Sequence, residues 1–308
     1  MTAPALNRRP VPAGAPTDPL IAFIEAHPAP LIPFEPRWGL SRLVSSPDGI
    51  FDLATADGRS VAVAALVDTA INANDAADLV LLGIDPAADR DALALLLLQE
   101  AEAAIGKSLR TRLEIEAADL FEGRQALLEA HGFQPAYHMY VMHRRFDGPP
   151  PPVPPLPEGL RWARPTEETM ESQHRAASRA MFGVPGANIP DFESFAARAR
   201  AMPDQHGLVL AGDNVVGFLR VHLPKTAGGE GDVALIGRDP DARGKGLGEI
   251  LVAEALRRLY AAEAGTAVLE VAAVNEAALA LYRRHGFAVT ESVTTYARVF
   301  PKAGPKAG

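Results

Sequence analysis

Between positions 243 and 248 the chain reads Arg243, Gly244, Lys245, Gly246, Leu247, Gly248, so that glycine recurs at every second position beside two cations. Glycine suits places where backbone must approach another group or take a conformation that a Cβ forbids. The run lies between an apolar segment that reads as a strand, GDVALIGR, and one that reads as a helix, EILVAEALRRLYAAEA. The start of a helix presents unpaired amides, and unpaired amides bind anions. The run is therefore a candidate phosphate cradle; the competing reading is a flexible surface turn with a basic pair.

Spacing removes the best-known phosphate loops. GxxxxGK[ST] does not occur here, and GxGxxG would need a glycine at Glu249. What fits is [R/Q]xxGx[G/A], with Arg243, Gly246 and Gly248 in register. Other chemistries find no support. There are no cysteines, hence no thiolate nucleophile, thiolate metal site or disulfide. His174, His206, His222 and His285 do not fall at metal-ligand spacing, so no metal is expected. No GxSxG elbow is present.

The elements that must hold the loop are duplicated. GDVALIGRDPDARGKGLGEILVAEAL in the second half is matched by ADLVLLGIDPAADRDALALLLLQEA in the first. VLEVAAVNEAALALYRRHGF is matched by RLEIEAADLFEGRQALLEAHGF. Each pair reads as strand, Asp-Pro turn and helix, then strand and a helix ending in His-Gly-Phe, with Gly132 or Gly286 just past the end. YHMYVMHR and VTTYARVF close the halves. The repeat length of about 150 residues indicates a duplicated domain, not a solenoid. Between the copies lies GPPPPVPPLPEG, 148–159, whose seven prolines favour an extended spacer. The expected plan is a leader at 1–19, a first domain at 20–147, the linker, a second domain at 160–300 and a tail at 301–308. The expected fold class is α/β, each domain a twisted mixed sheet flanked by helices.

Composition sets the outer limits. The chain has 308 residues, 48% of them hydrophobic, enough for two cores. No apolar run reaches the length of a membrane span, and MTAPALNRRPVPAGAPTDP lacks the apolar stretch of a secretory signal and reads as disordered. A cytoplasmic protein without membrane contact is expected, as monomer or homodimer. The net charge of −8 argues against nucleic acid and suits a cationic amine.

On these motifs the second half resembles the GCN5-related N-acetyltransferases, the GNAT family. A tandem pair with one degenerate copy is similar to the mycothiol synthases. The resemblance implies acetyl-CoA as co-substrate and a small-molecule amine as acceptor, joined by direct attack in a ternary complex. It implies a strand at Ile236, Gly237 and Arg238 that bonds pantetheine and the acetyl carbonyl, with Gly237 allowing close approach. Arg243, Gly244, Lys245, Gly246, Leu247, Gly248 and Glu249 would wrap the pyrophosphate. Tyr282, four residues before Gly286, would be the acid for the departing thiolate, or else an ordinary core tyrosine. Asp232, eleven residues before Arg243, would be the base, with Glu270 as competitor. Asn275 would cap the last helix and face the pantetheine arm. In the first copy Asp89, Ala92, Ala94 and Leu128 stand where the second has Arg243, Gly246, Gly248 and Tyr282, so that copy reads as a scaffold, as part of the substrate cleft or as a vestigial coenzyme A-binding domain. A non-catalytic protein that binds coenzyme A or serves interaction is the alternative, and the alternative substrate reading is acetylation of an amino-sugar thiol as in the mycothiol synthases.

Overall fold

A computed structural model describes residues 6–9, 11, 18–29, 49–68, 76–105, 110–187 and 189–300. The chain forms two compact units. Of the described residues, one contains those up to Ala136 together with 294–300, and the other contains Tyr137–Val293.

In the first unit, strands β1 (Leu6–Arg9), β2 (Ile50–Thr55), β3 (Ser60–Asp68) and β4 (Ala76–Ile84) pair antiparallel in chain order. Strand β5 (Arg112–Glu116) runs parallel to β4. Helix α2 (Arg90–Ile105) covers one face, packing Leu93, Leu97 and Leu98 on Phe51, Leu53, Leu113 and Ile115. Helix α1 (Asp18–Ala26) covers the other, with Leu20 and Ile24 on Ile50, Val63 and Leu82. Residues pointing to opposite faces alternate along each strand, as strand geometry requires.

In the second unit, strands β7 (Leu160–Ala163), β8 (His206–Ala211), β9 (Asn214–His222) and β10 (Glu230–Arg238) pair antiparallel, and β11 (Thr266–Ala272) runs parallel to β10. Helix α6 (Leu247–Ala261) packs on Val209, Leu219, Val221 and Val233. Helices α4 (Glu167–Met181) and α5 (Phe192–Ala201) pack on Leu208, Leu210 and Phe218 from the other side. Helices α3 (Gln125–Ala130) and α7 (Glu276–Arg284) end alike, with Gly132 at φ +81° and Gly286 at φ +82°. Both glycines take the left-handed conformation that a helix end with His-Gly-Phe calls for.

Three features depart from the linear reading. Leu6–Arg9, assigned to the leader by composition, form a strand beside β2, because Arg8 reaches Glu100 (3.3 Å) and Arg9 reaches Asp52 (2.8 Å). The proline segment 148–159 has neither helix nor strand, but Val153 and Leu156 pack against the core of the second unit, so it is more than a spacer. The closing strands are exchanged. In β6 (Gln134–Arg145), Met139–Arg145 pair with β11 of the second unit, and in β12 (Ala288–Val299), Thr295–Val299 pair with β5 of the first. Each copy thus contributes its last strand to the other sheet, a consequence of register that no local pattern encodes. The tail at 301–308 and much of the leader lie outside the described residues. Among the described residues no helix is long and apolar enough to cross a membrane, and no group of three or more His, Asp and Glu is placed to hold a metal ion.

Candidate active site

Strand β10 opens the site. Its parallel ladder with β11 runs only from Glu230↔Thr266 to Asp232↔Val268 and then stops, while on its other edge Leu235–Arg238 stay paired to β9. A bulge between Asp232 and Leu235 accompanies the separation. Beyond Asp232 the strand has an edge free of any ladder to β11, and such an edge is a template for an extended ligand.

Ile236, Gly237 and Arg238 lie on this stretch, facing Leu219, Phe218 and Gly217 across β9. The need for glycine at 237 has a different source from the one expected. A Cβ there would lie 2.6 Å from Phe218 Cζ and 3.0 Å from Met181 Cε. Packing against Phe218 on the α4 side fixes the glycine, not the approach of a ligand. The turn that follows is clamped: Arg179 of α4 bonds both carboxylate oxygens of Asp239 (3.1 and 2.9 Å) and reaches Asp241 (2.9 Å), while Asp239 accepts from the Asp241 amide (2.9 Å). Sequence reading found the Asp-Pro turn but not Arg179, which lies 60 residues away.

The loop itself has the conformation its composition calls for. Gly244 has φ +77° and Gly246, the residue capping α6, has φ +70°; a Cβ at either would meet nothing within 4 Å. Conformation, not crowding, makes these two positions glycine. No side chain caps α6 at Gly246. Arg243 and Lys245 are exposed and make no ion pair among the described residues. Open amides at a helix start, two cations and empty space around the backbone fit a pyrophosphate. Leu247 is buried and anchors the first turn. Gly248 serves helix packing, since a Cβ there would come within 3.1 Å of Leu281 Cδ2 on α7. Glu249 is tied to the same helix by Arg284 (2.6 Å) and His285 (2.7 Å).

The matching position in the first unit is closed by the chain itself. Asp89 precedes α2, and its Oδ1 accepts from the amides of Asp91 and Ala92, both at 3.1 Å. The carboxylate sits where an anion would. Asp89→Ala should cost about 1 kcal/mol of stability through the lost cap.

Asn275 caps α7, its Oδ1 accepting from the Ala278 amide at 3.2 Å. Tyr282 is 7% exposed, sets its ring edge-on to Phe287 (6.0 Å between centroids) and belongs to the α6 core. Burial pushes its phenol up to about 12. No hydrogen bond engages its hydroxyl among the described residues, although a buried phenol normally finds a partner.

Asp232 faces the α4 side, and its Oδ2 lies 3.1 Å from Nδ1 of His222, its directly paired residue on β9. Deeper on that face, Gln173 Nε2 lies 3.0 Å from Nδ1 of His206, an imidazole that burial and then Arg220 push down to about 3. Neither contact was legible in sequence, since strand register creates both. The first unit keeps an acid at the corresponding rung, Asp78, which is pushed up to about 8 by burial and by the charges of Glu114 and Glu116. A carboxyl ordinarily titrates near 3.9. Between about pH 4 and 8 the native chain therefore keeps a proton that the unfolded chain gives up, and stability falls as pH rises through that window. Asp78→Asn should raise the melting temperature at pH 8 and change it little at pH 4, as pH-resolved calorimetry would read.

Comparison with known proteins agrees with this architecture. Residues 168–287 match the family described as the acetyltransferase (GNAT) family. A mycothiol acetyltransferase of Geodermatophilus obscurus is 33% identical over 201 residues, covering 59% of this chain and 65% of that protein. One from Streptomyces bingchenggensis is 37% identical over 169 residues, covering 50% and 52%. The chain thus spans between about half and two thirds of the length of these curated relatives. Among solved structures, a GCN5-related N-acetyltransferase from Sphaerobacter thermophilus has TM-score 0.63 and 22% identity, covering 98% of both chains. A tandem GNAT protein from the clavulanic acid biosynthesis pathway has TM-score 0.65 and 17% identity, covering 98% of this chain and 100% of that one. With a duplicated α/β plan, one open helix start and these likenesses, the chain is similar in fold to a tandem GNAT protein and in sequence to the mycothiol acetyltransferases.

Proposed function

We propose that the protein is an N-acetyltransferase that moves the acetyl group of acetyl-CoA to a primary amine of a small molecule, with the chemistry in the second unit. One observation carries the reading: α6 begins behind two left-handed glycines with no side-chain cap, where the equivalent helix of the first unit is capped by Asp89. The amides after Gly246, with Arg243 and Lys245, hold the pyrophosphate. The free edge of β10 at Ile236, Gly237 and Arg238 holds the pantetheine arm, and the turn at Asn275 borders it. Acetyl-CoA supplies an activated thioester. Asp232 takes the ammonium proton of the acceptor, directly or through a water. The Tyr282 hydroxyl would serve the departing sulfur. A thiol ordinarily titrates near 8.5, well below this phenol, so Tyr282 acts chiefly as a hydrogen-bond donor to the sulfur.

The protein works in the cytoplasm, as monomer or homodimer, without nucleic acid or membrane as partner. The test is thiol release from acetyl-CoA against a panel of amines, with calorimetry of acetyl-CoA in parallel. An amine of the mycothiol class heads the panel, given the relatives' name. Tight binding with no thiol release on any amine would establish the alternative, a non-catalytic binding protein.

A further inference from the structure

Asp232 is the last rung that joins β10 to β11, so it stands where the two strands part. His222 is its direct cross-strand neighbour, one strand farther from the opening, and the two are 3.1 Å apart. Their side chains keep 21% and 28% exposure, while His222 Nδ1 itself is shut off from solvent and, although 3.1 Å from the acid, makes no hydrogen bond, so it is a buried acceptor left open beside the carboxylate. The first unit offers an internal comparison. Its acid Asp78 precedes Asp89 by the same interval that separates Asp232 from Arg243, but the residue paired with Asp78 is Val67. The copy with the open helix start has an imidazole across from its acid, and the copy with the self-capped helix does not.

This arrangement answers a difficulty in the acetyl-transfer reading, on which the inference rests. A carboxylate that accepts a proton from an ammonium group passes it uphill, and a base is most effective when it titrates near the working pH. An imidazole is the side chain suited to that range. The other imidazoles near Asp232 are committed elsewhere. His206 is held neutral by burial and by the cations Arg220 and Arg198, and its Nδ1 meets Gln173. His143 has Nδ1 on Thr290 (2.6 Å) and Nε2 on Glu230 (3.1 Å). Arg220, on the same face of β9, is itself pushed down to about 10 by burial and Arg198, and Asp232 partly offsets this.

We propose that His222 is a proton relay that acts through Asp232. The acceptor's N–H bond breaks and the proton passes to an Asp232 carboxylate oxygen. It moves on to His222 Nδ1 as the new N–H bond forms, and the imidazolium releases its Nε2 proton to water. Asp232 is again a carboxylate, and the ring, left as its Nδ1–H tautomer, returns to the Nε2–H form by proton exchange with water before the next turnover, so no other reactant is consumed.

The test uses the full chain with His222→Ala, His222→Gln and Asp232→Asn, measured in single turnovers. His222→Ala should lower the rate by about 10²-fold, the lower end of what acid–base groups contribute, with acetyl-CoA affinity and melting temperature unchanged. Added imidazole should restore much of that loss in His222→Ala and none in Asp232→Asn. His222→Gln should match His222→Ala without imidazole. A parent rate in His222→Ala overturns the relay, and so does a loss that imidazole leaves untouched while folding and acetyl-CoA affinity are intact. A parent chain that releases no thiol with any amine would instead bring down the acetyl-transfer reading, and the relay with it.

Discussion

Tyr282→Phe should lower turnover by about 10²–10³-fold, the loss that follows removal of one preorganised hydrogen-bond donor, with acetyl-CoA affinity preserved. The substitution removes one oxygen and keeps the ring. That ring is buried in the α6 core and lies edge-on to Phe287. Because the hydroxyl engages no partner among the described residues, its loss leaves no orphaned polar group, and stability should hold or rise slightly. The phenol keeps its proton throughout the working range, since burial has raised it to about 12. Loss of activity in Tyr282→Phe would then reflect a missing donor to sulfur and not a change of ionisation. The decisive measurement is single-turnover acetyl transfer beside a thermal melt. A parent rate with a substrate for which chemistry is limiting would leave Tyr282 as packing alone.

Gly246→Asp should weaken acetyl-CoA binding by on the order of 10–100-fold, each tenfold being about 1.4 kcal/mol. The substitution copies into the second unit what Asp89 does in the first, placing a carboxylate at the open amides of α6. Space permits the side chain, since a Cβ at Gly246 meets nothing within 4 Å. The left-handed backbone at φ +70° is among the conformations that Asp and Asn tolerate best after glycine. Gly246→Asn supplies the matching control, with the same shape and no charge. A larger loss of affinity in the Asp variant than in the Asn variant isolates electrostatic competition for the anion site. Undiminished affinity in Gly246→Asp would remove the loop from the cofactor site.

How far each feature could be read in advance follows from the range of the interaction behind it. The duplication, the α/β class, the His-Gly-Phe helix ends and the glycine loop are local: they depend on the period of apolar residues and on backbone conformations that glycine alone adopts readily. Asp89 in place of Arg243 was equally legible, since a helix cap needs only its neighbours in sequence. The cap at Asn275 is of the same kind.

Register and packing decided the rest. Gly237 reads as a gap for a ligand until Phe218 is found against it. Arg179 pins the turn before the loop from 60 residues away. Val153 and Leu156 turn a proline spacer into part of a core. The closing strands change places between the units because strand pairing is fixed by which edges meet, and both edges accept the same alternating pattern. Asp232 and His222 are ten residues apart in sequence and become neighbours only because β9 and β10 pair in one register; a slip of one residue would turn His222 to the α6 face. The sequence by itself determined where an anion can be held, because that depends on a few consecutive backbone conformations. The tertiary structure decided which side chains meet where β10 and β11 part, because those come from separate strands and become neighbours only after the sheet has formed.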